Sequence, residues 1–474
     1  MVNNNILSER YVTKGINNIF SQKGKILAYR KLWIAVMKAQ KQLGVDISDE
    51  DIKKFEKSAN NIDLKQIREI ELKTKHDVKA NIESFVKTAN APEHIHKGMT
   101  SRDLTDNVEQ MQILNASKII FGKMIAILRH MLDKAKEYEN IILTARTHHQ
   151  PAQSTVLGRR FSMWAEELYF HILEFENFIN TYPLRGIKGP VGTQLDIIKI
   201  LGSEKKVVEF ENIVAKELGF NQILKSTSQV YPRSLDLALI SKLVGLASAC
   251  ENFANSMRLM AGYDLVTEGF KDGQVGSSAM PHKMNTRSSE RIVGFGSILK
   301  GYLTMVSNLS GNQWEEGDVS CSVVRRVAIS DAFFAMDGLC ETTLTVLNEM
   351  GAYKTVIEKE VDKYLPFLAT TQILTLAVQK GVGREQAHEI IKKYAVAEAL
   401  NIREGKETKL ETRLSEDPIF KSFKITKKDI QNILDEKEAF IGRAKLQIFE
   451  VLEKTDNLIK KYSKQALYEP EDIL

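Results

Sequence analysis

Proline is scarce, with nine in 474 residues. Each proline removes a backbone donor and clashes with the preceding helical turn, so the shortage favours long unbroken helices over a turn-rich β architecture. Cysteine is scarcer still. Cys250, Cys321 and Cys340 lie far apart with no C-x-x-C pair, which argues against a disulfide framework or thiolate metal site and points to a reducing, cytoplasmic setting. No unbroken run of about 18 apolar residues occurs, so no membrane span is expected. The opening MVNNNILSERY has no apolar stretch like that of a signal peptide. His94 and His96 are two apart, not the i, i+4 spacing of a helical zinc pair, and no H-E-x-x-H, G-x-x-x-x-G-K-[ST] or strand-linked G-x-G-x-x-G occurs; no metal and no cofactor are expected. Charge of one sign is also lacking: 66 basic residues face 61 acidic ones, a net +5. The lysines are scattered among glutamates, so nucleic acid is not an expected partner, whereas a positive pocket for an anionic small molecule is compatible.

What is present is helical periodicity. Leu239, Leu243, Leu246, Cys250, Phe253, Met257 and Met260 alternate spacings of four and three, an apolar seam of a left-handed bundle. A second long helix is predicted over about 106–138, with Ile113, Ile120, Met124, Ile127 and Met131 on one stripe. Others are predicted over about 155–179, 288–309 and 384–402. A helix of over thirty residues exceeds about 45 Å, too long to be covered inside an ordinary compact domain, and such rods are usually buried by neighbours, often from other subunits. The expected fold is all-α in three parts: a shorter-helix region 1–105, a central long-helix bundle 106–350 forming the core of an oligomer, and shorter helices over 351–474.

Between two of the long patterns lies an unusual loop, residues 269–291, with three glycines, adjacent Ser277 and Ser278, a proline and several charges. It is about twice as long as a plain interhelical connector needs, which fits an active-site lid. Its segment Gly276-Ser-Ser-Ala-Met-Pro-His-Lys-Met-Asn285 resembles the signature of the fumarase/aspartase superfamily, whose members eliminate fumarate or a related product. Two further segments match that superfamily in order: Gly98-Met-Thr-Ser-Arg-Asp-Leu-Thr-Asp-Asn107 and Ala145-Arg-Thr-His-His-Gln-Pro-Ala-Gln-Ser154. The Ala-Met-Pro-His-Lys form of the loop, Arg10-Tyr11, Lys75-His-Asp-Val78 and Ser320-Cys-Ser-Val-Val-Arg-Arg326 resemble the branch acting on succinylated purine nucleotides. The resemblance weakens beyond about residue 400.

The resemblance implies the small-molecule substrates adenylosuccinate and SAICAR, and a homotetramer whose sites each draw on three chains. The chemistry removes a weakly acidic proton beside a carboxylate and breaks a C–N bond, which needs a base, a clamp on the developing dianion and an acid for the leaving nitrogen. By resemblance Ser278 is the base, its alkoxide helped by loop amides and Lys283, while Lys283 and Asn285 hold the carboxylate with Thr100 and Ser101, and Ser277 and Thr147 are further substrate-binding residues. His148 is the acid, partnered by Glu290, which raises its pKa. His76 and His96 orient the succinyl and phosphate groups, with His76 sharing in catalysis. Arg10, Tyr11, Ser322 and Arg326 match nucleotide-phosphate contacts and Gln229 a further substrate contact; arginine suits phosphate through its planar fork. Thr100 and Ser101 also suit a helix N-cap, a role compatible with anion binding.

The sequence departs from the pattern twice. Asn285 is followed by Thr286 instead of proline. Gly317 stands where many members of that branch carry a substrate-touching arginine, and Arg325 and Lys97 are candidate replacements. The competing readings are another lyase of the superfamily, such as one acting on argininosuccinate or carboxymuconate, and a non-catalytic structural relative.

Overall fold

The computed structural model describes residues 5–269, 280 and 282–473. Five long helices dominate: Ser101–Glu137, Leu157–Thr181, Ser234–Ala261, Arg287–Ser307 and Ser320–Glu349. They pack side by side as one bundle. The periodic seams explain why. Every seam residue from Leu239 to Met260 and every stripe residue from Ile113 to Met131 is buried, so each 3.5-residue repeat supplies one apolar edge to its neighbours. Close approach is built in as well: a Cβ on Gly158 would fall 2.2 Å from the Ala135 carbonyl oxygen, so the 101–137 and 157–181 helices meet where only glycine fits.

The helix Ser101–Glu137 begins about five residues before its apolar stripe implies. Thr100 stands at its N-cap and its amide donates to Asp103 Oδ2 at 2.7 Å, so capping chemistry, not apolar spacing, sets the start. The helix predicted from Thr155 starts instead at Leu157. Thr155 and Val156 belong to a β-hairpin, paired with Leu143 and Ile142, as suits β-branched residues on a pleated surface. The strands Ile142–Thr147 and Gln150–Val156 and the short pair Val266–Thr267 with Gly351–Ala352 are the sheets among the described residues.

One apolar core runs from Leu7 through the bundle to Ile357 and takes in Ile441–Ala466 as well. A second, separate core joins Leu365–Leu434. The most apolar 18-residue windows of Ser101–Glu137 and Ser234–Ala261 reach mean hydropathies of 1.4 and 1.3, enough by composition to cross a membrane, though neither is an unbroken apolar run. Of those windows 78% and 56% is buried within the chain, as core helices of a bundle would be.

Candidate active site

The N-terminus of the Ser101–Glu137 helix organises one group of site residues. Asp103 is wholly buried and accepts from the amides of Thr100, Lys188 (2.8 Å) and Gly189 (3.1 Å) while paired with Arg185. This holds the turn carrying Thr100 and Ser101 against the 185–189 segment. Arg102 follows at once and donates from Nη2 to Ser322 Oγ at 2.9 Å. Ser322 and Arg326 are one turn apart on the 320–349 helix, hence on one face. The Gln229 amide donates to the Glu316 carbonyl at 3.0 Å, bringing Gln229 to the same 313–322 segment.

Two histidines complete this group. His96 adopts φ 65° and its Nδ1 accepts from Trp33 Nε1 at 3.2 Å. Burial, with a smaller push from nearby His76, holds its pKa below the ordinary value against the pull of Asp103, and an acceptor nitrogen requires the neutral ring. His76 caps the helix Asp77–Ala89, accepting the Lys79 amide at 3.2 Å. Tyr29 was not singled out in the sequence. Its buried hydroxyl has no partner among the described residues. Burial pushes its pKa up, Asp77 and Glu109 add to this, and Arg326 and Arg102 oppose it, so these charges surround one spot.

His148 belongs to a second group. It and His149 form the two-residue turn of the β-hairpin, at φ 50° and 61°, the backbone form that matches hairpin twist. Thr147 and His148 are exposed at the tip. The turn is braced from behind: Tyr263 Oη lies 3.1 Å from His149 Nε2, and Arg146 pairs with Glu360. His148 itself has no side-chain partner among the described residues.

The foot of the long loop makes a third group. Lys283, Asn285 and Thr286 line a cleft of about 500 Å³ with Thr267, Glu268 and Tyr353, a size suited to a small molecule. Glu268 accepts from the Ser288 and Ser289 amides at 2.9 and 3.0 Å and from Ser289 Oγ. It therefore caps the Arg287–Ser307 helix and fixes Glu290, exposed in its first turn. One residue on, the Arg291 guanidinium lies 5.4 Å over the Tyr11 ring, which also meets Phe295 edge-on. Arg10 beside it is exposed. Ser277 and Ser278 lie outside the described residues. Among the described residues no hydrogen bond or ion pair joins His148 to Glu290 or to the Thr100–Ser322 group within one chain.

The family described as lyase matches residues 10–299, and one described as adenylosuccinate lyase C-terminus matches residues 366–451. Adenylosuccinate lyase of Saccharomyces cerevisiae is 32% identical over 97% of this chain and 96% of its own length. The chain belongs to the adenylosuccinate lyase family of the fumarase/aspartase superfamily. Adenylosuccinate lyases of Schizosaccharomyces pombe and Archaeoglobus fulgidus are 30% and 27% identical over 97% and 95% of the chain. Among solved structures, the 3-carboxy-cis,cis-muconate lactonizing enzyme of Pseudomonas putida superposes with a TM-score of 0.83 at 16% identity, covering 97% of this chain and all of that one. A fumarate lyase of Mesorhizobium sp. BNC1 gives 0.78, also at 16%, covering 94% of this chain and 98% of its own. These two share the all-helical fold.

The family pattern that Gly317 breaks has a backbone reason in this chain. Gly317 adopts φ 143°, a region that residues with a Cβ rarely enter, and a Cβ there would meet Val230 Cγ2 at 3.2 Å. Of the candidate replacements, Arg325 is buried and bound to Asp236, Glu109 and the Tyr231 hydroxyl. It is committed to the bundle interior. Lys97 Nζ lies 3.1 Å from His94 Nδ1. Arg102, inside the Gly98–Asn107 motif, reaches the segment instead through Ser322.

Proposed function

We propose that this chain eliminates fumarate from adenylosuccinate, giving AMP, and from SAICAR, giving AICAR, with no metal or cofactor. The observation that carries the reading is the 32% identity to an adenylosuccinate lyase over nearly the whole of both chains. The local geometry supports it: Thr100 and Ser101 sit at the N-terminus of a 37-residue helix, where the helix dipole favours an anion.

In this reading Ser278 takes the proton from the carbon beside the carboxylate, and the electron pair forms the new C=C bond as the C–N bond breaks. His148 delivers a proton to the departing amino nitrogen. Lys283, Asn285, Thr100, Ser101, Ser277 and Thr147 hold the carboxylate on which charge grows. Arg10, Tyr11, Ser322, Arg326 and Gln229 hold the nucleotide; His76 and His96 orient it. Because no hydrogen bond or ion pair among the described residues joins His148 to Glu290 or to the Thr100–Ser322 group within one chain, the complete site is read as assembled from three subunits of a homotetramer. The half-exposed Leu259 on the long 234–261 helix is in keeping with burial by another subunit. A reducing, cytoplasmic setting fits three cysteines that are all free and buried.

A substrate panel tests this reading. Adenylosuccinate and SAICAR are expected to be cleaved, and argininosuccinate and carboxymuconate to be left unchanged. Turnover of either of the latter pair in preference to the purines would overturn it.

A further inference from the structure

We infer that Arg102 is a phosphate-binding residue, supplying from the long helix the guanidinium that position 317 cannot carry. The inference rests on the proposed function and adds a residue to its nucleotide subsite.

Three observations converge. First, Arg102 Nη2 donates to Ser322 Oγ at 2.9 Å, and Ser322 lies on the same helix face as Arg326. Second, Arg102 shares its carboxylate. Its carboxylate partner Asp106, 3.2 Å away, also binds Arg233 at 3.0 Å and accepts the Tyr231 amide. Third, donors remain. A guanidinium has five N–H groups, and Asp106 and Ser322 are its side-chain partners among the described residues. The side chain is 15% exposed, enough for a ligand oxygen to reach a free N–H. Its field also lowers the pKa of Asp318, beside Gly317, after the larger effect of Ser320, so Arg102 faces the very segment whose backbone excludes an arginine.

Phosphate is favoured over carboxylate because the contact is to Ser322 beside Arg326. Thr100 and Ser101, which serve the carboxylate in this reading, are the N-cap and first residue of the same turn, and successive helical residues point about 100° apart.

The test is calorimetric titration of the full chain, wild type, Arg102→Met and Arg102→Lys, with AMP and separately with fumarate, alongside thermal melts. A charge-assisted hydrogen bond to phosphate is worth about ten- to a hundredfold in affinity. Arg102→Met is expected to weaken AMP by that factor and fumarate by less than about twofold, since only AMP carries phosphate. Arg102→Lys is expected to fall between, keeping charge but losing the fork; if the methionine variant does not fold, the lysine variant carries the same comparison. Unchanged AMP affinity, or equal weakening of AMP and fumarate, would overturn the assignment. A wild type that neither cleaves adenylosuccinate nor binds AMP would instead sink the proposed function, and this inference with it.

Discussion

Asp103 accepts the Thr100 amide at 2.7 Å while its other oxygen takes the Lys188 amide at 2.8 Å. One buried carboxylate thus ties the start of the longest helix to the segment that runs beside it. Removing one partner of a buried pair leaves an uncompensated charge, here Arg185, at a cost of about 3–5 kcal/mol. Asp103→Ala is expected to lower the melting temperature by many degrees and to abolish turnover through loss of the Thr100–Ser101 turn. A melting temperature close to that of the wild type would refute this.

His148 stands at a hairpin tip with positive φ, so asparagine is the substitution that best keeps the backbone. His148→Asn is expected to leave the melting temperature nearly unchanged and to reduce kcat by about 10²–10⁴. Ser278→Ala should be at least as inactive. Mixing the two inactive proteins after subunit exchange is expected to restore measurable activity, because some sites then receive both native residues. No recovery despite proven exchange would speak against sites shared between chains.

Gly317→Arg installs the residue common in the family at a backbone position that opposes it. Strain of this kind costs about 1–3 kcal/mol, so the variant is expected to be less stable and no faster. A gain in activity at unchanged stability would contradict the account of why glycine stands there.

The pKa of His96 lies below its ordinary value because the ring is buried, with a smaller push from His76, against the pull of Asp103. Between its folded and unfolded pKa values the unfolded chain binds more protons, so stability rises with pH through that window and is lost as pH falls below about 6.5. Thermal melts from pH 7.5 to 5 should show this slope, and His96→Asn, which tolerates the positive φ, should flatten it. An equal slope in the variant would assign the effect to other groups.

Much of the fold was legible because a seam such as Leu239–Met260 repeats without a break, and bundle packing needs nothing more. The start at Thr100 and the hairpin through Val156 were not, since a capping contact to Asp103 and a cross-strand pairing leave no helical period. The motifs supplied the candidate site residues, and the role proposed for Arg102 among them rests on a contact to Ser322, 220 residues away, which leaves no pattern in the sequence. Tyr29 was illegible for the same reason, an ordinary helical tyrosine whose setting is made by charges from distant segments.

The most direct measurement mixes purified protein with adenylosuccinate and follows ultraviolet absorbance while fumarate and AMP are quantified in the products. The account predicts rapid loss of substrate with one fumarate and one AMP released for each molecule consumed. A folded protein that leaves adenylosuccinate intact, or consumes it without releasing both products, would contradict it.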